Sequence, residues 1–76
     1  LKKIFRESVV DYAVAQNLIV IKTLPGLASA VCGAVDSMYD DNILGTVAGD
    51  DTGLLIMRNA ASAERLCVQL RRTYKR

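Results

Sequence analysis

The sequence predicts an α+β domain of two layers, a four-stranded antiparallel sheet with two helices on one face, in the order β-β-α-β-β-α. Three observations predict it. The β-branched run Leu18-Ile19-Val20-Ile21-Lys22-Thr23 stops at Pro25-Gly26, which breaks a strand. Two later segments show helical periodicity. The stretch Gly49-Asp50-Asp51-Thr52-Gly53, flanked by apolar runs, has the composition of a hairpin loop. With 76 residues, the chain holds a single domain.

Taken in order, residues 1–8 are a basic lead-in, either the end of a linker or a helical turn. Ser8 to Ala15, rich in Val, Tyr and Ala, reads as a strand. Gln16-Asn17 turns the chain, since Asn tolerates positive φ. Leu18 to Thr23 has no polar alternation before Lys22, so both its faces are expected to be covered. After Pro25-Gly26 a helix begins. Leu27, Ala28, Val31, Ala34, Val35 and Met38 fill one stripe, while Ser29, Gly33 and Asp36 form a small, polar opposite face. Asp36 falls near the helix C-terminus, where a carboxylate opposes the macrodipole by about 0.3–1 kcal/mol. A local rule broken in this way points to function. Asp40-Asp41-Asn42 is a loop, and Ile43–Ala48 and Leu54–Arg58 are strands. Asn59 caps a last helix from Ala60 to Thr73, with Ala63, Leu66, Cys67, Leu70 and Tyr74 as its buried stripe.

Composition narrows the function. Hydrophobic residues make up 51% of the chain, which excludes a disordered tail. No apolar run approaches the roughly 20 residues of a membrane span. The chain has no histidine, so Ser-His-Asp and Cys-His catalysis and His-ligated zinc are excluded. Cys32 and Cys67 are far apart and read as reduced core residues, and no signal-peptide pattern is present, so a cytoplasmic location is expected. A chain this short leaves apolar surface outside its own core, which predicts self-association.

Ten Lys and Arg against eight Asp and Glu give a net charge of +2, but the distribution is uneven. Between Thr23 and Met57 there is no Lys or Arg, while Asp36, Asp40, Asp41, Asp50 and Asp51 all lie there. Asp40 and Asp41 read as loop acids. For Asp50 and Asp51 two readings stand. All the residues of that stretch are ordinary turn formers. Equally, paired carboxylates at a strand end need a proton, a metal or an organic cation, and Asp36 could be a third member. Mg²⁺ would accept such carboxylates, but no Gly-rich phosphate loop accompanies them. A guanidinium, planar and permanently charged, fits a carboxylate with two parallel N–H bonds. The C-terminal Arg-Arg-Thr-Tyr-Lys-Arg reads as a solvated helix end, since no stacking platform or helix-turn-helix accompanies it.

Leu24-Pro25-Gly26, then Asp36, then Gly45-Thr46-Val47-Ala48-Gly49-Asp50-Asp51-Thr52 resemble the C-terminal domain of bacterial arginine repressors, over roughly Val9 to Leu70. The resemblance implies a domain that binds L-arginine as co-repressor, with no other cofactor, no metal and no catalytic residue. It also implies assembly of two trimers into a hexamer, and a separate N-terminal winged helix-turn-helix domain, absent from this chain, that binds operator DNA. By the same resemblance Asp50 takes the guanidinium from a subunit of the opposite trimer, with Asp51 and Thr52 completing that wall. Asp36 lies near the α-amino end, Ala28 and Ser29 face the α-carboxylate, and Gly45 and Thr46 line the floor. Two positions depart from the family. Ser29 stands where Gln or His is frequent, which shortens that contact or routes it through water. Gly53 stands where a bulky apolar residue is usual, which is expected to loosen the hairpin. Two rival functions share this composition: an amino-acid-sensing regulatory domain of a metabolic enzyme, and a small trimeric enzyme using Asp50 or Asp51 as a general base. The second lacks any activated nucleophile.

Overall fold

The computed structural model describes residues 2–74. Leu1, and the Lys75 and Arg76 of the basic C-terminus, lie outside the described residues. The elements are α1 (Lys2–Ser8), β1 (Val9–Ala15), β2 (Leu18–Thr23), α2 (Ala28–Asp36), β3 (Ile43–Ala48), β4 (Thr52–Met57) and α3 (Ala60–Thr73). The four strands form one antiparallel sheet in the order β1-β2-β4-β3.

From β1 onward the order is the expected β-β-α-β-β-α. Of the two readings of residues 1–8, a linker end or a helical turn, the structure shows the helical one over Lys2–Ser8. In α1, Phe5 is fully buried and stacks on Tyr74, ring centroids 4.5 Å apart. The fold thus has a third helix, whose one aromatic residue is drawn into the core by the apolar area it removes from water.

The core lies between the helices and one face of the sheet. Ile19 and Ile21 of β2, Leu55 and Met57 of β4, and Val9 and Tyr12 of β1 share one cluster with Phe5, with Val31 and Val35 of α2, and with Ala63, Leu66, Cys67 and Leu70 of α3. Cys32 is buried as well, and both cysteines are free thiols, as expected. In the stripe expected on α2, Ala28, Val31 and Val35 are buried, whereas Leu27, Ala34 and Met38 are only half-buried. In α3, Asn59 caps the helix as expected: its side chain accepts from the Ser62 N–H at 2.8 Å, and its own N–H donates to Ser62 Oγ.

Three local differences have physical causes. At the β1–β2 turn the positive φ falls on Gln16 (57°), not on Asn17. Asn17 is held instead by β4, its Nδ2 donating to the Met57 carbonyl at 3.1 Å and its own carbonyl accepting from the Met57 N–H at 2.8 Å. The second hairpin is also tighter than expected. Thr52 and Gly53 belong to β4, because Thr52 pairs with Lys22 and Gly53 with both Ile21 and Ala48. Finally, the expectation that both faces of β2 are covered is met on one face only within this chain. Leu18 and Val20 of β2 and Leu54 and Ile56 of β4 are half-exposed on the far face. Val47 and Leu44 at its β3 side are 57% and 56% exposed.

Pro25-Gly26 does break the chain after β2. Gly26 adopts φ +81°, and the Leu27 N–H returns to the Leu24 carbonyl at 3.2 Å, the geometry of a turn that requires a residue without Cβ at its third position. The turn delivers the chain directly into α2.

Tyr12 is buried, and among the described residues its hydroxyl has no hydrogen-bond partner. Burial first, then the neighbouring Tyr74 and Cys67, push its phenol up from 10.0 to about 12. The unfolded chain therefore ionises this group first, so the contribution is fully present below pH 10 and is lost as pH climbs toward 12. Tyr12→Phe removes an unpaired buried hydroxyl and is expected to leave the melting temperature at pH 7 unchanged or raised. Its stability is also expected to fall less steeply between pH 10 and 12. A loss of more than about 1 kcal/mol at pH 7, measured by denaturant unfolding, would show that the hydroxyl has a partner after all.

Candidate functional site

The residues singled out from the sequence fall into two groups, one at each end of α2. At the N-terminal end lies the β3–β4 hairpin. Asp50 is exposed at its tip, and its carbonyl accepts from the Ala28 N–H at 3.2 Å. Ala28 itself is fully buried. It therefore fixes the first turn of α2 against the hairpin, while Ser29 beside it is exposed. The Asp51 carbonyl accepts from the Thr23 N–H at 2.8 Å, and the Gly49 N–H closes the turn on the Thr52 carbonyl at 2.8 Å. The acidic turn is thus tied by its backbone to both the end of β2 and the start of α2. The Asp50 carboxylate projects from this tied turn into solvent.

At the other end of α2, Asp36 is the last helical residue and is exposed. Its carboxylate accepts a 2.9 Å hydrogen bond from the Thr46 hydroxyl. This bond across to β3 offsets part of the unfavourable placement at a helix C-terminus. Asp36 and Gly45 line a hollow of about 460 Å³ together with Tyr39, Asp40, Asp41 and Arg58. Asp40 has a turn role there, its Oδ1 accepting from the Asn42 N–H at 2.8 Å.

Within one chain the two groups do not converge. Eight residues separate Ala28 from Asp36, about 12 Å of helix at 1.5 Å per residue. The structure therefore brings together Asp50, Asp51 and Thr52 at the start of α2, and Asp36, Gly45 and Thr46 at its end, as two half-sites on one edge of the domain.

The stretch without cations, read along the sequence, is not without cations in space. Antiparallel pairing sets Lys22 opposite Thr52. The Lys22 ammonium donates to Thr52 Oγ1 at 2.7 Å and lies 3.7 Å from Asp51 Oδ1, which also accepts from the Thr52 hydroxyl at 3.0 Å. Arg58 in turn lines the Asp36 hollow and donates to the Asp41 carbonyl at 3.1 Å. Sequence reasoning missed both residues. Lys22 could have been found by pairing the outward positions of β2 and β4, whereas Arg58 depends on the loop path after Asp40. Among the described residues Asp50 is the acid of the pair whose carboxylate has no partner, hence the one most available to a diffusing cation.

Gly53 was expected to loosen the hairpin. Instead the space beside it is filled: a Cβ there would lie 2.6 Å from Cys32 Sγ. Among the described residues no group of three or more His, Cys, Asp or Glu side chains could hold a metal ion, and no helix is long and apolar enough to cross a membrane.

Comparison with known proteins settles the family. The family model described as "Arginine repressor, C-terminal domain" matches residues 5–72. This chain belongs to that family. The arginine repressor of Carboxydothermus hydrogenoformans is 47% identical to it over 66 residues, covering 87% of this chain and 44% of the relative. That of Heliobacterium modesticaldum is 40% identical over 72 residues, 95% of this chain and 48% of the relative. That of Thermotoga petrophila is 43% identical over 70 residues, 92% and 46%. The chain spans less than half the length of these curated relatives. The family match covers both half-sites and α1 from Phe5 onward.

The Lys22–Asp51 pair is half-exposed on both sides (49% and 50%), so solvent screens it and its worth is small. Lys22→Gln is expected to change the unfolding free energy by less than about 1 kcal/mol, with the difference vanishing in high salt. A larger loss, or one insensitive to salt, would mean that Lys22 holds the hairpin in place.

Proposed function

We propose that this chain is the L-arginine-binding oligomerisation domain of a transcriptional repressor, and that L-arginine seats between copies of it. The observation that carries the reading is the pair of exposed acids Asp36 and Asp50, set at opposite ends of about 12 Å of helix, with the Asp50 carboxylate unpaired among the described residues. The uncovered apolar face of the sheet beside them supports it, and so does membership of a family named for arginine repressors.

In this reading the guanidinium pairs with Asp50 offered from a subunit of the opposite trimer, where two parallel N–H bonds match the carboxylate. Asp51 and Thr52 form the adjoining wall. The α-amino group lies toward Asp36, whose orientation the Thr46 hydroxyl fixes, and Gly45 leaves room at the floor. The α-carboxylate sits on the same carbon as the α-amino group, so it meets the first turn of α2 from another copy, where Ser29 is exposed and backbone donors favour an anion. Ala28 holds that turn against the hairpin.

Copies of Asp50 and Asp51 gathered about an oligomer axis repel one another. A cationic ligand replaces repulsion with paired, partly buried charge. Because it bridges chains, it stabilises the assembled state, and by linkage assembly tightens ligand binding, a coupling typically of about 1–3 kcal/mol. The half-exposed Leu18, Val20, Leu54 and Ile56 supply apolar area for contact with a second copy, trimers first and then a dimer of trimers. In the whole repressor, which carries a DNA-binding part beyond this chain, the assembly fixes the spacing of the parts that grip operator DNA at arginine-metabolism genes, in the cytoplasm. The domain performs no catalysis in this account.

Calorimetric titration of L-arginine into the wild type and into Asp50→Asn tests the reading. The wild type is expected to release heat on binding, and Asp50→Asn to bind roughly tenfold or more weakly, the cost of losing a charged hydrogen-bond partner. Equal affinities would remove Asp50 from the site. A stronger response to a neutral amino acid than to L-arginine would favour a general amino-acid sensor instead.

A further inference from the structure

Gly53 is buried in β4, between Ile21 and Ala48. Its φ is not in the left-handed region, where Gly26 is the positive-φ glycine of the described residues. The reason for glycine is therefore space rather than backbone conformation. That space is taken by Cys32, which is 4% exposed and whose Sγ would stand 2.6 Å from a Cβ at position 53. This is a hard overlap, since real Cβ atoms essentially never come so close. The same sulfur lies 3.8 Å from the Val47 carbonyl on the other strand of the hairpin. Burial, followed by the nearby Asp36, pushes the thiol up, and the Thr46 hydroxyl pulls it back. Cys32 thus sits at the point where α2, β3 and β4 meet, directly behind the acids.

Four of the contacts described join α2 to this hairpin. Three are hydrogen bonds, Ala28 N–H to the Asp50 carbonyl at 3.2 Å, Thr46 to Asp36 at 2.9 Å and the Cys32 thiol to the Val47 carbonyl at 3.8 Å, and all can stretch. The fourth, the Cys32 sulfur against Gly53, leaves no room for a Cβ. A core at crystalline density transmits such a change in volume to its neighbours. An added methyl group at position 53 either turns the Cys32 sulfur aside, away from the Val47 carbonyl, or moves Asp50 and Asp51 away from α2, and burial of that sulfur favours the second.

We propose that the Cys32–Gly53 contact is a spacer that sets how near the acidic hairpin lies to α2, and so tunes affinity for the guanidino amino acid; this rests on the functional reading above. Gly53 and Cys32 are positioning residues, acting through Asp50 and Asp51 without touching ligand.

The test compares wild type, Gly53→Ala, Cys32→Ala and the double variant in the same assembled protein. L-arginine affinity is measured by calorimetry, and exchange of the Ala28 amide by NMR. Gly53→Ala is expected to bind L-arginine roughly tenfold more weakly, as overpacking of a close core contact implies, and to exchange its Ala28 amide faster. In the double variant the deleted sulfur makes room for the new methyl group, so both readouts are expected to return to within about threefold of wild type. A merely structural role would lower the melting temperature of Gly53→Ala while leaving its affinity at the wild-type value, and that result overturns the proposal. So does a double variant that binds as weakly as Gly53→Ala. Should Gly53→Ala fail to fold, a folded double variant with wild-type affinity supports the spacer, and a double variant that also fails to fold contradicts it. If the wild type itself gives no heat with L-arginine, the functional reading fails, and Ala28 exchange in the same four proteins still decides whether the spacer exists.

Discussion

The register between β2 and β4 governs most of what this domain can do. It sets Ile19 against Leu55 on the inward face and Leu18 against Ile56 and Val20 against Leu54 on the outward one. A slip of one residue would exchange the two faces, because side chains alternate along a strand. The same ladder ends at Lys22 and Thr52, where it holds the base of the acidic turn. Core, uncovered sheet face and charged tip are thus three consequences of one pairing. The Met57 carbonyl and N–H, both bound by Asn17, lock the opposite end of that ladder.

Charge then acts on a frame that is already rigid. The backbone of the Asp50-Asp51 turn is held at the Thr23 and Ala28 amides, which fixes the base from which the two carboxylates project. Asp51 is partly compensated by Lys22, whereas Asp50 projects outward. This asymmetry separates the two adjacent acids: Asp51 has a screened cationic neighbour, and Asp50 is exposed without one among the described residues. Asp36 shows the converse arrangement, an acid at an unfavourable helix end that is oriented by one hydroxyl on the neighbouring strand.

Much of this was legible in the sequence. The β-branched run of β2, the Pro-Gly stop and the Asn59 cap each carry their structure locally, and the strands Leu18–Thr23 and Ile43–Ala48 appear where their patterns put them. The family resemblance on Pro25-Gly26, Asp36 and the Gly-Thr-x-x-Gly-Asp-Asp-Thr string agrees with the family match. What could not be read depends on contacts distant in sequence. Phe5 belongs to a core assembled from β1, α2 and α3, and stacks on Tyr74, 69 positions later. Lys22 reaches Asp51 across 29 positions of chain. The fit of Gly53 to Cys32 shows only when helix and strand are laid together, and a glycine in a strand read alone suggests weakness instead. Each of these was missed for the same reason: periodicity reports the face a residue occupies, not the residue it meets there.

The central claim is that a guanidino amino acid joins copies of this domain by neutralising acids that otherwise repel. Molar mass by light scattering, at low protein concentration with and without L-arginine, tests it most directly. The account predicts a shift toward the higher oligomer in L-arginine and none with L-citrulline, which has the same length but no positive charge on its side chain. Equal masses in all three conditions, or the same shift with citrulline, would contradict it.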